Sequence, residues 1–130
     1  MRERREQLDI IISNSLDKPI YMQIKEQVID QIINEELKPG EMLPSIRTLA
    51  KELRISVITT KRAYDELERD GYIETVVGKG TFVSGINKDI IRERQMGLLE
   101  NDLSALIDNA KRMKLSKQEL FDLINLLWEE

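Results

Sequence analysis

The 130-residue chain contains no cysteine and no histidine. Without cysteine, disulfide bonds and thiolate metal sites are excluded. Without histidine, the chain lacks the usual proton shuttle, the commonest transition-metal ligand and the ordinary pH switch near neutrality. Catalysis would have to rest on carboxylates, lysines or hydroxyl groups, and none of these pairs up in a context typical of a pocket. We therefore expect no enzymatic activity, no cofactor and no metal.

Long apolar runs are also missing. The charged N-terminus is followed by a run of only three apolar residues, the isoleucines at 10–12. A signal peptide needs an apolar stretch of roughly 7–15 residues, and a membrane span needs roughly 20. Hydrophobic residues still make up 41% of the chain, which is enough to bury a core. These features predict a cytoplasmic protein without membrane contact.

The excess of positive charge that is common in nucleic-acid-binding proteins is absent as well, because the formal net charge is −4. However, residues 38–86 carry eight basic and seven acidic side chains, whereas acidic side chains predominate on both sides of that segment. Contact with phosphate depends on the local patch more than on the global charge. The distribution therefore permits nucleic-acid binding without supporting it.

Apolar periodicity predicts three helices within the first 70 residues. A stripe at four-residue spacing runs from Pro19 to near Leu37, and a Lys-Pro-Gly turn follows it. Ser45 and Ser56 are suitable N-caps, because a serine hydroxyl accepts from the backbone N–H groups exposed at a helix start. The helix that begins at Ser56 reaches about residue 70, where Gly71 closes it. Two short helices joined by three or four residues indicate a helix-turn-helix.

Two β-prone runs, at 72–77 and 81–83, flank a glycine-rich tip and predict a hairpin, which at this place in the chain would be a wing. Two more helical patterns follow, from about Lys88 to Met113 and after a capping box that starts at Ser116. The predicted fold is mainly α with a small β-hairpin wing. Residues 1–86 would form a winged helix-turn-helix domain, with a candidate short strand at 8–12, and residues 87–130 a two-helix dimerisation tail.

A recognition helix presents its first turns to the major groove of DNA, so its outward side chains there are candidates for contact. Lys61 and Arg62 can donate hydrogen bonds to phosphates or to guanine edges, and Thr59 can contact a phosphate or a base. The full set of candidate DNA-binding residues is Ser45, Arg47, Val57, Ile58, Thr59, Lys61, Arg62, Gly78, Lys79 and Gly80.

Two interpretations are open for several of these residues. Val57 and Ile58 would either contact thymine methyl groups or pack against the wing or Arg47. Arg47 would either hold a phosphate beside the start of the second helix, or form a surface salt bridge with an acid such as Glu52. The glycine-rich tip lacks the spacing of a phosphate loop. It would either carry Lys79 to the minor groove or the DNA backbone, or be a hairpin turn without function.

The apolar face of the C-terminal tail is too wide to be buried by two isolated helices. It must pack on the wing domain or on a second copy, and a symmetric dimer would bring two recognition helices to palindromic half-sites. Phe121 and Trp128 fit core or interface anchors better than ligand stackers. The predicted dimerisation residues are Leu99, Leu103, Leu106, Leu120, Phe121, Ile124, Leu127 and Trp128.

Several short motifs resemble the GntR family of bacterial regulators: PIY at 19–21, LKPGE at 37–41, LPS at 43–45, LAKEL at 49–53 and GKGTFV at 78–83. They stand in the family's order and spacing over roughly residues 18–84. The resemblance implies a DNA-binding repressor with an N-terminal winged helix that binds as a dimer and is released by an effector. Matched positions imply DNA contacts at Ser45, Arg47, Thr59, Lys61, Gly78 and Lys79.

The short tail, together with KRAY at 61–64 and ELE at 66–68, is similar to the YtrA-type subgroup, whose members often repress a neighbouring transporter operon. The chain is too short for the large effector domains of other subgroups. One departure stands out: many relatives have polar residues where this chain has Val57 and Ile58, which implies a different operator sequence.

The expected function is therefore a sequence-specific transcription regulator, a repressor that acts as a homodimer on palindromic double-stranded DNA. The alternative is a winged-helix adaptor for other proteins, whose acidic ends repel DNA. A small-molecule effector is a further candidate partner, with a small apolar cavity between wing domain and tail as a place for it, but the sequence does not identify one.

Overall fold

The computed structural model describes residues 8–15, 17–85 and 88–129. These residues contain seven elements, in chain order α1 (Ile20–Ile33), α2 (Ile46–Leu53), α3 (Val57–Arg69), β1 (Ile73–Val76), β2 (Gly80–Val83), α4 (Lys88–Arg112) and α5 (Lys117–Leu127). The chain divides into two compact units, Met1–Lys88 and Asp89–Glu130. The predicted fold class, mainly helical with one small hairpin, is confirmed.

The core of the first unit is built on the apolar stripe of α1. Ile24 and Val28 are fully buried, as the four-residue spacing predicts. The helix ends at Ile33, before the predicted limit near Leu37. It ends there because Glu35 adopts a left-handed conformation with φ 62°, and the Leu37 N–H folds back to the Gln31 carbonyl at 3.0 Å. Leu37 is still fully buried, but from the turn that follows the helix.

Serine caps fix both helices of the helix-turn-helix. The Ser45 hydroxyl accepts from the Thr48 N–H at 3.1 Å, and the Ser56 hydroxyl accepts from the Thr59 N–H at 3.0 Å. The inward face of α3 is formed by Thr60, Ala63 and Leu67, which are all fully buried. The buried Tyr64 hydroxyl donates to the Pro44 carbonyl at 2.7 Å, which ties α3 to the segment that starts α2.

The hairpin pairs β1 and β2 in antiparallel register, from Ile73 opposite Val83 to Val76 opposite Gly80. The sequence did not reveal that residues 40–43 pair with the second edge of β2. The Gly40 N–H donates to the Val83 carbonyl and the Leu43 N–H to the Thr81 carbonyl, each at 2.8 Å. The wing is therefore held along β2 by the loop before α2.

Residues 8–13 form no strand, contrary to the candidate at 8–12. Their backbone instead bonds to a glutamine ladder on α1, which we define as Gln23, Gln27 and Gln31. Gln27 exchanges two bonds with Ile11, at 2.9 and 2.7 Å. Gln23 does the same with Ser13 at 2.9 Å, and Gln31 donates to the Asp9 carbonyl at 2.8 Å.

The glutamine ladder forms because the helical repeat of α1 nearly matches the repeat of the extended segment beside it. Four helical residues advance about 6.0 Å, and two residues of extended chain advance about 6.6 Å. Every fourth side chain of α1 can therefore meet every second peptide group of the segment. Leu8 and Ile10 become buried beside it, so the segment completes the core of the first unit.

In the second unit, α4 runs without interruption through Gly97. The predicted capping box at the start of α5 is confirmed: the Glu119 N–H donates to the Ser116 hydroxyl at 3.0 Å, and the Ser116 N–H donates to the Glu119 carboxylate at 3.1 Å. The helix α5 is therefore capped as the sequence predicts. However, it has no buried residue, and its apolar side chains are not fully covered by the rest of the chain.

Candidate nucleic-acid interface

Arg47 lies on the first turn of α2, next to the Ser45 cap. Its side chain is exposed. Within residues 8–15, 17–85 and 88–129, no ion pair to Glu52 forms, so the salt-bridge interpretation finds no support there. The guanidinium is available beside backbone N–H groups that favour an anion.

The first turn of α3 presents two apolar side chains. Ile58 is 81% exposed and Val57 is 47% exposed. Such exposure does not fit packing of Ile58 against the wing or Arg47, and it leaves Val57 half covered. Thr59 is engaged locally, since its hydroxyl accepts from the Ser56 hydroxyl at 2.7 Å. The Thr59 hydroxyl proton remains available to an external acceptor.

Lys61 lies one turn further along α3, with a side chain 62% exposed. Its ammonium contacts the Asp65 carboxylate at 2.6 Å, one turn away on the same helix. Exposed pairs of this kind contribute little, about 0–1 kcal/mol, because water screens both partners. The ammonium can therefore exchange Asp65 for a phosphate or a base edge at small cost.

Arg62 is held by three contacts that the sequence did not indicate. Its guanidinium stacks on the Tyr21 ring at 3.7 Å from the ring centre and donates to the Tyr21 hydroxyl at 3.0 Å. It also reaches the Glu66 carboxylate at 3.3 Å. In this conformation Arg62 joins α3 to α1, and contact with DNA would have to compete with that role. The signal available was the aromatic residue in the PIY motif.

An ion-pair cluster fixes the second half of α3 against α1. The Lys25 ammonium lies 3.1 Å from Glu66 and 2.9 Å from Asp70, and the Lys25 side chain is only 15% exposed. The hydrogen bond from Lys25 lowers the pKa of Glu66, with a further contribution from Arg62. Burial alone would lower the pKa of Lys25, but its bonds to Asp70 and Glu66 outweigh burial and raise it. The cluster orients α3 at the end remote from its first turn.

The wing tip places Lys79 in solvent. Gly78 and Gly80 adopt φ values of 79° and 127°, which only glycine accepts readily. The Lys79 N–H closes the turn on the Val76 carbonyl at 2.9 Å. Nearer its base, the Thr75 hydroxyl donates to Glu68 of α3 at 2.8 Å, so the wing and α3 are connected directly.

The predicted dimerisation residues of the tail are unburied within the single chain. Leu99 and Leu103 on α4 are 59% and 44% exposed, and Leu127 and Trp128 at the end of α5 are 70% and 71% exposed. Leu106, Phe121 and Ile124 are exposed by more than a third as well, and Leu120 is half-buried. The tail thus carries a broad apolar surface.

Within the part of the chain that the structure describes, no cluster of three acidic side chains could hold a metal ion. Among the same residues, no helix has the length and apolar character of a bilayer span. The exposed cations described above, Arg47, Lys61 and Lys79, lie at the start of α2, on α3 and at the wing tip.

Comparison with known proteins identifies this arrangement. The model of the family of bacterial regulatory proteins named gntR matches residues 20–83. The HTH-type transcriptional repressor YtrA of Bacillus subtilis is 37% identical over 106 residues, which cover 82% of each chain.

Two solved structures extend the comparison. A GntR family transcriptional regulator from Listeria monocytogenes superposes with a TM-score of 0.67 and 26% identity, over 90% of this chain and all of that one. The DNA-binding domain of AraR in complex with operator ORX1 gives a TM-score of 0.52 and 28% identity, over 59% of this chain and 96% of that one. The chain therefore belongs to the gntR family of bacterial regulatory proteins and is a DNA-binding transcription regulator.

Proposed function

We propose that this regulator is a repressor that binds a palindromic operator as a homodimer. The observation that carries the proposal is the open first turn of α3, where Ile58 is 81% exposed on a helix otherwise anchored to the core. Repression is the activity named for the YtrA relative, and operator DNA is the partner named for the AraR domain. Both are carried over to this chain as part of the proposal.

Each surface has a separate role in the proposed complex. Arg47 forks a phosphate at the start of α2, and Ser45 orders the backbone N–H groups beside it. Lys61 contacts a base edge or a phosphate from α3. Lys79 reaches the minor groove or the DNA backbone from the wing. The remaining predicted contacts border these three in sequence and are Val57, Ile58, Thr59, Arg62, Gly78 and Gly80.

The tail supplies the proposed dimer. The exposed apolar side chains along α4 and α5 stabilise the protein only when another surface covers them. Their burial contributes about 25 cal/mol per Å² of apolar area removed from water. A second copy of the tail offers the same surface, and a two-fold axis closes the contact. Such a dimer would present two α3 helices to half-sites one helical turn apart, about 34–36 Å.

The test starts from DNA upstream of the protein's own gene and from a random-sequence pool. We expect a footprint of two inverted half-sites, with an affinity that falls steeply as salt increases, because counterions return to the phosphates. Arg47→Ala should weaken binding of all sequences and reduce the salt slope by about 1, whereas Lys61→Ala should cost about 1–3 kcal/mol if it contacts a base.

Lys111→Ala is the matched control, since it removes one positive charge from the tail and should leave the affinity unchanged. If Arg47→Ala and Lys61→Ala together also leave it unchanged, DNA recognition through this surface is wrong. The adaptor function would then be favoured.

A further inference from the structure

Ile58 is the second residue of α3 and lies opposite the buried side of the helix. It precedes the fully buried Thr60 by two residues, which is about 200° around the helix axis. Its side chain is 81% exposed. A large β-branched side chain at this place contributes nothing to the core and little to helix propensity. The apolar character of Ile58 therefore matters for the molecule that binds at the start of α3.

We propose that Ile58 reads the C5-methyl group of a thymine in each operator half-site. The inference rests on the proposed function and names the base that this position selects. Isoleucine has neither donor nor acceptor, so it cannot read the hydrogen-bonding pattern of a base edge. Among the four bases, only thymine presents an apolar group in the major groove, which is its methyl.

The surroundings of Ile58 favour DNA over a protein as the occupant. The start of α3 carries the positive end of the helix dipole, and the exposed cations Arg47 and Lys61 lie on the neighbouring helix α2 and on α3 itself. The large apolar side chains exposed on α2, α3 and the hairpin are few, Val57, Ile58, Val76 and Val77, whereas specific protein interfaces bury about 800 Å² on each partner. A charged backbone with one apolar contact per half-site matches this surface.

The experiment uses a duplex that the full chain selects from a random-sequence pool. Each thymine is replaced in turn by deoxyuridine, which lacks only the methyl group. We expect one position in each half-site at which the replacement weakens binding by about fourfold, the value for one buried methyl group. Replacements elsewhere should have no effect of that size.

The variant Ile58→Ala should bind the thymine duplex as weakly as the unaltered protein binds the uracil duplex, and it should not distinguish the two. Because Ile58 is exposed, the variant should keep its unfolding temperature, and circular dichroism checks this. Ile11→Ala is the matched control. Ile11 is 80% exposed, on the segment that the glutamine ladder holds, and its replacement should leave the thymine preference intact.

The possible results distinguish a failure of operator binding from a failure of thymine recognition by Ile58. If no duplex is selected at all, the proposed function fails. If the protein selects a duplex but binds every uracil replacement equally well, operator binding stands and the thymine inference fails. If Ile58→Ala keeps the preference while Val57→Ala loses it, the methyl is read by the neighbouring residue and the assignment to Ile58 is overturned.

Discussion

The two units of the chain differ in where they place large apolar side chains, which are mostly buried in the first unit and mostly exposed in the second. In the first unit Leu49 and Leu67 are fully buried, whereas in the second Leu127 and Trp128 are 70% and 71% exposed. Local signals do not explain the contrast, since the caps of α2, α3 and α5 are equally well formed. The difference is whether the chain itself supplies the opposing surface. The first unit is stable through its own contacts, and we infer that the tail depends on assembly.

Charge placed on the apolar surface of the tail should have the largest effect. The double variant Leu103→Glu with Leu106→Glu should abolish the proposed dimer. A two-fold axis would bring four unpaired carboxylates into one apolar contact, at several kcal/mol each. Sedimentation should then show a monomer, and operator affinity should fall by at least about a hundredfold, because one recognition helix remains per complex.

The double variant Asn101→Glu with Ser104→Glu adds the same charge to polar positions of α4 and should stay dimeric. A monomeric unaltered protein at micromolar concentration would contradict the dimer. So would a dimer that survives both leucine replacements.

Truncation of one leucine in each unit measures how far the stability of each unit depends on a filled core. Leu49→Ala should reduce the free energy of unfolding by about 2–5 kcal/mol, because it opens a cavity in a filled core. Leu126→Ala removes the same atoms from a side chain that is 78% exposed and is not one of the predicted dimerisation residues. It should change stability by less than about 0.5 kcal/mol. Urea unfolding measures both, and equal losses would show that the tail has a core of its own.

The glutamine ladder offers a smaller test within the first unit. Gln23→Leu keeps the side-chain volume but removes three bonds, two to Ser13 and one to the Lys18 carbonyl. We expect a loss of about 1–3 kcal/mol, because the peptide groups of a partly buried segment lose their partners. Gln27→Leu should cost less, since its two bonds are exposed to water, which can replace them. Thermal unfolding of the pair checks the order.

The ion-pair cluster should give the smallest effect, visible mainly through pH. The lowered pKa of Glu66 stabilises the fold above about pH 4.5, and that stability is lost as pH falls through the lower value of the folded state. The raised pKa of Lys25 stabilises the fold below about pH 10.5 and is lost as pH rises through its folded value. Lys25→Met should cost roughly 1 kcal/mol at neutral pH and flatten the acid limb. An unchanged acid limb would contradict the role of this pair.

The sequence predicted the features that depend on residues close together in the chain, such as helix caps and helix ends. Ser45, Ser56 and Ser116 act as caps because each accepts from an N–H three residues ahead, and Gly71 adopts φ 87° at the end of α3. The buried positions of Ile24 and Val28 followed from the four-residue period of α1. These signals lie within a few residues of the structure that they specify.

Contacts between distant residues were not predictable in the same way. Arg62 and Tyr21 are 41 positions apart, and no periodicity couples an arginine to an aromatic ring across that distance. The pairing of the loop before α2 with β2 is equally remote in sequence. The ladder had a visible signal, three glutamines at four-residue spacing, but a hydrophobic period reports only apolar residues. For the candidate site, the sequence named the exposed side chains, and the structure added that Arg62 is already engaged.

The ladder differs in kind from the other attachments on α1. A glutamine amide has no net charge and does not titrate, so its bonds to residues 9, 11 and 13 are indifferent to ionic strength and to acid. A salt concentration that dissociates the protein from DNA phosphates should therefore leave the hydrogen bonds of the glutamine ladder intact. The N-terminal segment should remain seated on α1 whether the regulator is on its operator or free, and fluctuations there would not report on occupancy.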